Sequence, residues 1–261
     1  MNNRITELFG KKKKEILSVY YTAGFPNLED TRPIAESLEQ AGADIIEIGI
    51  PFSDPMADGP TIQESNKTAL DNGMTLKMLI SQISEIRERV KLPIILMGYF
   101  NPILQYGVEK FIADAAAVGV DGLIIPDMPL YEYEEDYSDK LQAVNLCNTF
   151  LISPTTSEER IRKIDAATDG FIYAVSASSI TGAKGDFSDD QIRYFERLKQ
   201  MNLRNPFLVG FGISDRSAFS QAATYGAGAI VGSAFINLLK NATEQEKDIN
   251  SFVKKLKGID N

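Results

Sequence analysis

Glu47 lies in the middle of Asp44-Ile45-Ile46-Glu47-Ile48-Gly49-Ile50-Pro51, an apolar run that reads as a β-strand. Glutamate has weak strand propensity and is costly to bury without a partner, so its presence there needs a reason. With a period of two, Ile45, Glu47 and Gly49 share one face, and Ile46 and Ile48 share the other. Asp58 follows eleven positions later, in the loop Pro51-Phe52-Ser53-Asp54-Pro55-Met56-Ala57-Asp58-Gly59-Pro60-Thr61-Ile62-Gln63, which three prolines and a glycine stiffen. A structural glutamate satisfied by a neighbouring donor and a turn-forming aspartate are the plain readings. The chemical reading is a carboxylate pair facing one cavity, with Glu47 an acid–base catalyst whose pKa apolar walls raise.

The rest of the composition narrows that chemistry. The chain has no histidine, which removes the usual general base, the Ser-His-Asp triad and His-ligated zinc. Cys147 is the sole cysteine, which excludes an intrachain disulfide and a cysteine metal cluster; its strand-like surroundings predict a buried, inert thiol. No metal site is expected. No lysine falls within a predicted strand, against a Schiff-base mechanism. Acid–base work is left to carboxylates, tyrosines and lysines. A net charge of −9 argues against nucleic acid, and requires any phosphate to be held by local dipoles rather than by the overall field. Gly210-Phe211-Gly212-Ile213-Ser214 and Val231-Gly232-Ser233-Ala234 supply such dipoles, each as a strand end running into a helix N-terminus. The loop from Ser176 to Asp186, small, polar and glycine-spaced, reads as a lid or as a passive surface loop.

These residues need a scaffold. Strand-like runs at 16–22, 45–50, 94–98, 122–126, 146–152, 170–175, 207–210 and 229–231 alternate with helical patterns at 28–41, 75–90, 108–118, 132–143, 157–166, 188–201 and 215–225. Residues 244–257 read as a last outer helix. Ser157 and Ser214-Asp215 are helix starts, while Gly42, Gly119 and Gly226 are helix stops that each feed a strand. About eight strand–helix pairs with continuously apolar strands predict an α/β fold, a closed (β/α)8 TIM barrel in one domain over 1–261, with an extra N-terminal helix. A doubly wound open sheet is the competitor, and no Gly-x-Gly-x-x-Gly follows the first strand to support it. Lys11-Lys12-Lys13-Lys14 before an apolar run mimics a secretory signal, but the run is short and strand-forming, with no convincing cleavage site. The lysines read as a solvated linker and the protein as cytoplasmic.

The segment from Glu47 to Pro55 together with Ala57-Asp58-Gly59-Pro60-Thr61-Ile62-Gln63 resembles the signature of the tryptophan synthase alpha chains. The likeness extends over nearly the whole chain through Thr22-Ala23-Gly24-Phe25-Pro26, Asp127-Met128-Pro129, Thr181-Gly182 and Gly210-Phe211-Gly212-Ile213-Ser214. It implies retro-aldol cleavage of indole-3-glycerol phosphate to indole and glyceraldehyde 3-phosphate. Glu47 then matches the acid/base that protonates indole C3 and takes the glycerol hydroxyl proton, and Asp58 the carboxylate that stabilises positive charge at the indole nitrogen. Tyr173, Thr181 and Gly182 match substrate-side and lid positions, and Gly212, Gly232 and Ser233 the phosphate cradle. Tyr20, Tyr99 and Phe211 are expected to line the indole pocket. The resemblance also implies a beta-chain partner in an α2β2 assembly that receives indole directly, with pyridoxal phosphate in that partner and no cofactor in this chain. The loop with Asp54 and Pro55, and the lid, would be the coupling elements. Ser179 stands where the family lid usually has glycine. A different phosphate-handling barrel enzyme and a non-catalytic allosteric subunit are the rival readings; the strand-two and lid motifs oppose the first, and both carboxylates oppose the second.

Overall fold

A computed structural model describes residues 3–176 and 187–259. Thr181, Gly182 and Ser179 lie outside the described residues. Eight parallel strands form the centre: β1 Ile16–Thr22, β2 Ile45–Gly49, β3 Ile94–Met97, β4 Gly122–Ile124, β5 in two pieces (Cys147–Thr149 and Leu151–Ile152), β6 Ile172–Val175, β7 Phe207–Gly210 and β8 Gly228–Val231. β1 pairs with β2 on one side and with β8 on the other. The ring closes at β5. Its first piece pairs with β4 at Gly122↔Cys147 and Ile124↔Thr149, and its second with β6 at Leu151↔Tyr173. Phe150 between them keeps the ladder continuous, its carbonyl accepting from Tyr173 N–H at 2.9 Å.

The period of two sorts side chains between two apolar regions. Ile16, Ile45, Ile95, Ile124, Cys147, Tyr173, Leu208 and Ile230 fill the barrel interior. Leu17, Val19, Ile46, Ile48, Ile94 and Leu96 belong to the larger core under the outer helices. Glu47 has the parity of Ile45, and so points inward. The N-terminal helix α1, Arg4–Lys11, begins at Asn3 in a reciprocal capping box. It closes the floor of the barrel with Ile5 and Phe9, the latter 5.6 Å from the Phe171 ring.

The lysines after α1 are the largely exposed linker to β1, and their ammonium groups also tie it down. Lys12 pairs with Asp44 at 2.7 Å, and Lys14 Nζ donates to the carbonyls of Ala223 at 3.1 Å and Gly226 at 2.8 Å. They hold the floor because helix C-termini and strand-entry loops collect carbonyl oxygens there. The helices also differ in detail from the periodic reading. Pro60–Asp71 and Phe100–Tyr106 are helices that the pattern did not separate from loops, while Ser233–Asn241 is the helix whose start was expected after Gly232. Prolines hid the first two; Pro60 is the first helical residue and Pro102 lies in a first turn, where no intrahelical N–H is lost. Segment 132–143 breaks into Leu130–Glu132, a π-helical turn Tyr133–Tyr137 and Ser138–Ala143. That turn sets Tyr133 against Phe150 at 5.1 Å and Tyr137 against Phe100 at 5.6 Å. Ser157 and Asp215 cap their helices as the sequence indicates, accepting from Arg160 N–H and Ala218 N–H. Among the described residues no helix is long and apolar enough to cross a membrane.

Candidate active site

Glu47 is fully buried at the centre of β2. Ser18, inward-facing on β1, donates its hydroxyl proton to Glu47 Oε1 at 2.6 Å. Oε2 is buried with no hydrogen-bond partner among the described residues. The donor that a purely structural glutamate needs is therefore present for one oxygen and missing for the other. Burial raises the Glu47 pKa to about 7 against the pull of the Ser18 hydrogen bond.

Asp58 stands on the loop that leaves the same strand and is half-buried. Tyr99, which follows β3, organises that loop through one hydroxyl. The hydroxyl accepts from Ala57 N–H at 3.0 Å and donates to Asp58 Oδ2 at 3.0 Å. Gln63 Nε2 donates to the Asp58 carbonyl at 2.9 Å, and the Phe52 ring lies 5.3 Å from that of Tyr99. Burial moves the Asp58 carboxyl above its ordinary pKa, and the Tyr99 hydrogen bond opposes the rise. The two carboxyls thus sit in different environments.

Tyr20 and Tyr173 join them. Both are buried, and each lies close enough to feel the charges of Glu47 and Asp58. Two glycines make room for these rings. A Cβ on Gly49 would lie 2.2 Å from the Tyr20 hydroxyl, and one on Gly210 would lie 2.2 Å from Tyr173 Cε1. At Gly232 a Cβ would meet Tyr20 only in ordinary contact at 3.6 Å. Gly210→Ala is accordingly expected to shift Tyr173 and to cost about 1–3 kcal/mol by overpacking, with a loss of activity, whereas Gly232→Ala is tolerated by the fold. Urea unfolding of both variants checks this; equal stabilities would contradict it.

Phe211 packs edge-on to Tyr173 at 6.2 Å, beyond the end of β7. Phe211 and Gly212 both take positive φ, +70° and +76°, and turn the chain sharply at the rim. Ser176 secures that turn, donating its hydroxyl to the carbonyls of Gly210 at 3.0 Å and Phe211 at 2.8 Å. The two expected phosphate-binding helix starts are not equivalent. The N-terminus of Arg216–Tyr225 is occupied by the Asp215 carboxylate, which leaves this stretch only its turn. Gly232 precedes Ser233–Asn241 with no side-chain cap, and Ser233 is exposed, so these backbone N–H groups and their dipole remain available to an anion.

The structure links several of the predicted residues directly: Tyr99 bonds Asp58, Tyr20 and Tyr173 feel the charges of Glu47 and Asp58, Phe211 packs on Tyr173, and Gly232 lies against the Tyr20 ring. Gly212 and Ser233 sit at strand-to-helix turns without a hydrogen bond to either carboxyl. Thr181 and Gly182 lie outside the described residues. Sequence reasoning missed Ser18; it set Gly49 on the Glu47 face and Ser176 at the start of the candidate lid without giving either the role the structure shows. The alternation Ser18-x-Tyr20-x-Thr22 along an otherwise apolar strand was the available signal for the first.

The tryptophan synthase alpha chain family matches residues 7–260 of this chain. The tryptophan synthase alpha chain of Flavobacterium psychrophilum is 53% identical, over 97% of this chain and 99% of the relative. That of Parabacteroides distasonis is 52% identical, over 98% and 99%. The crystal structure of tryptophan synthase subunit alpha from Legionella pneumophila superposes with a TM-score of 0.90 at 34% identity, covering 99% of this chain and 98% of that one. The A-subunit of Pyrococcus furiosus gives 0.86 at 36% identity, covering 95% and 99%. With its length matched almost end to end at such identity, the chain belongs to the tryptophan synthase alpha chain family.

Proposed function

We propose that the chain cleaves indole-3-glycerol phosphate to indole and glyceraldehyde 3-phosphate at this cavity, with Glu47 moving protons and Asp58 holding charge. Breaking the bond between the indole ring and the glycerol side chain needs an electron sink. Protonation of indole C3 by Glu47 creates one, because the ring becomes an indolenine cation. Asp58, ionised, stabilises the positive charge at the ring nitrogen. Glu47 then takes the proton of the glycerol hydroxyl as the carbon–carbon bond breaks, releasing indole and an aldehyde. A carboxyl that both gives and takes a proton near neutrality works best with a pKa close to the operating pH, which is where burial puts Glu47. That buried, half-satisfied carboxyl is the observation that carries the reading.

Tyr20, Tyr99 and Phe211 line the indole side, with Tyr173 across from them. The phosphate rests on Gly212, Gly232 and Ser233, where backbone dipoles attract an anion that an acidic protein would otherwise repel. The chain works with a beta chain in an α2β2 assembly and passes indole to it; pyridoxal phosphate belongs to that partner. The loop carrying Asp54, Pro55 and the exposed Met56 couples the two, since the same segment ends in Asp58. The reaction is confined to the cytoplasm.

An assay of indole release from indole-3-glycerol phosphate, with and without a beta chain, tests this. Weak activity alone and strong stimulation by the partner are expected. An absence of indole in both settings would reject the reading.

A further inference from the structure

We propose that Ser18 is the positioning residue of Glu47: its hydroxyl holds Oε1 and leaves Oε2 as the oxygen that exchanges the proton with substrate. The inference rests on the reading of Glu47 as the proton-transferring group. Both side chains are fully buried, and the contact of 2.6 Å lies in the range of a charge-assisted bond from a hydroxyl to a carboxylate. The register sets Tyr20, not Ser18, opposite Glu47, so Ser18 reaches the carboxyl from one inward-facing step below.

Several groups face Glu47, but none duplicates this bond. Tyr20 of β1 turns its hydroxyl to Thr22 at 3.5 Å. Asp58, on the loop after β2, is bonded to Tyr99 of the segment after β3. Tyr173 of β6 contributes its charge interaction. Among the described residues, Ser18 alone donates to Glu47.

A hydroxyl has one proton to give. Donated to Oε1, it occupies that oxygen in both charge states of the carboxyl, so the acidic proton is placed on Oε2. The same bond favours the ionised form and opposes the rise that burial produces. Ser18 therefore does two things through Glu47: it stops rotation of the carboxyl, and it keeps the proton equilibrium near neutral pH.

The test uses the full chain labelled with carbon-13 at the glutamate carboxyls, with the Glu47 signal assigned by its loss in Glu47→Gln. Ser18→Ala is expected to move the Glu47 midpoint upward by about one pH unit, a roughly tenfold change in the proton equilibrium. In the same variant kcat for indole release at pH 7 should fall by about tenfold with KM within about twofold, the pattern of a lost transition-state interaction. Ser18→Thr, which restores the hydroxyl, should return both the midpoint and kcat most of the way. If Ser18→Ala fails to fold by circular dichroism, Ser18→Cys, a weaker donor of similar size, should give an upward shift of the same sign. An unchanged midpoint in these variants, or Ser18→Thr no better than Ser18→Ala, would overturn the proposal while leaving the proton-transfer reading intact. Wild-type chain with no indole release, but a normal Ser18-dependent midpoint, would instead reject that reading and with it the assignment of Oε2 as the working oxygen.

Discussion

Glu47→Gln is expected to lower kcat for indole release by at least about a thousandfold with little change in KM, since one side chain both delivers and removes a proton. The amide keeps the shape of the side chain and can still accept from Ser18, but it cannot carry a proton between positions. Full activity in this variant would sink the mechanism. The same substitution has a consequence for stability that does not depend on catalysis. Glu47 is raised from an ordinary 4.5 to about 7 in the folded chain. Below about pH 4.5 the folded and unfolded chains both hold this proton, and the fold carries no penalty from it. As pH rises toward 7 the unfolded chain ionises first, and stability is lost by roughly 3 kcal/mol in total. Glutamine has no such transition. The melting temperature of Glu47→Gln relative to wild type should therefore climb by about 5 °C between pH 4.5 and 7.5. A difference that stays flat with pH would mean that the buried carboxyl is not held protonated.

Asp58→Asn is expected to lower kcat by about a hundred- to a thousandfold, the range for removing one preorganised electrostatic partner of a developing charge. Asparagine can accept the Tyr99 hydrogen bond, so the loop should keep its shape and the loss should reflect charge alone. Tyr99→Phe separates the two effects. It removes the bond that opposes the rise at Asp58, and so moves the Asp58 carboxyl further upward. Since Asp58 acts when ionised, the acid limb of the pH–kcat profile should shift to higher pH in Tyr99→Phe, with activity recovered toward neutral pH, where Asp58 is ionised again and Glu47 still holds its proton. An acid limb that stays in place would mean that Tyr99 only supports the loop. The proposed division of labour follows burial: Glu47 is fully buried and Asp58 only half-buried, so the first is the better proton carrier and the second the better fixed charge.

The sequence by itself determined the architecture and the chemical pair. Strand period, helix stops at Gly42 and Gly119, and the caps at Ser157 and Asp215 are local signals, and eight repeats of them leave a parallel barrel as the economical solution. Glu47 was legible because a carboxylate in an apolar strand conflicts with both propensity and burial. Asp58 was legible because the chain leaving that strand must stay at the same rim. Where several signals overlapped, local reading failed: Pro60 and Pro102 masked helices, and the lysine linker gave no hint of the carbonyls that Lys14 binds.

Only the tertiary structure decided which oxygen of Glu47 is held and which loop residue Tyr99 grips. Ser18 lies 29 positions from Glu47, and Tyr99 lies 41 from Asp58. Such contacts depend on register between neighbouring strands, and on tilt and closure of the whole ring, which no local pattern encodes. Closure likewise put a Cβ-free space at Gly49 and Gly210, where two tyrosine rings cross the barrel mouth. It also left one helix N-terminus filled by Asp215 and the other open at Gly232. The carboxylates are a property of the sequence; their different environments, on which the roles proposed for them rest, come from the fold.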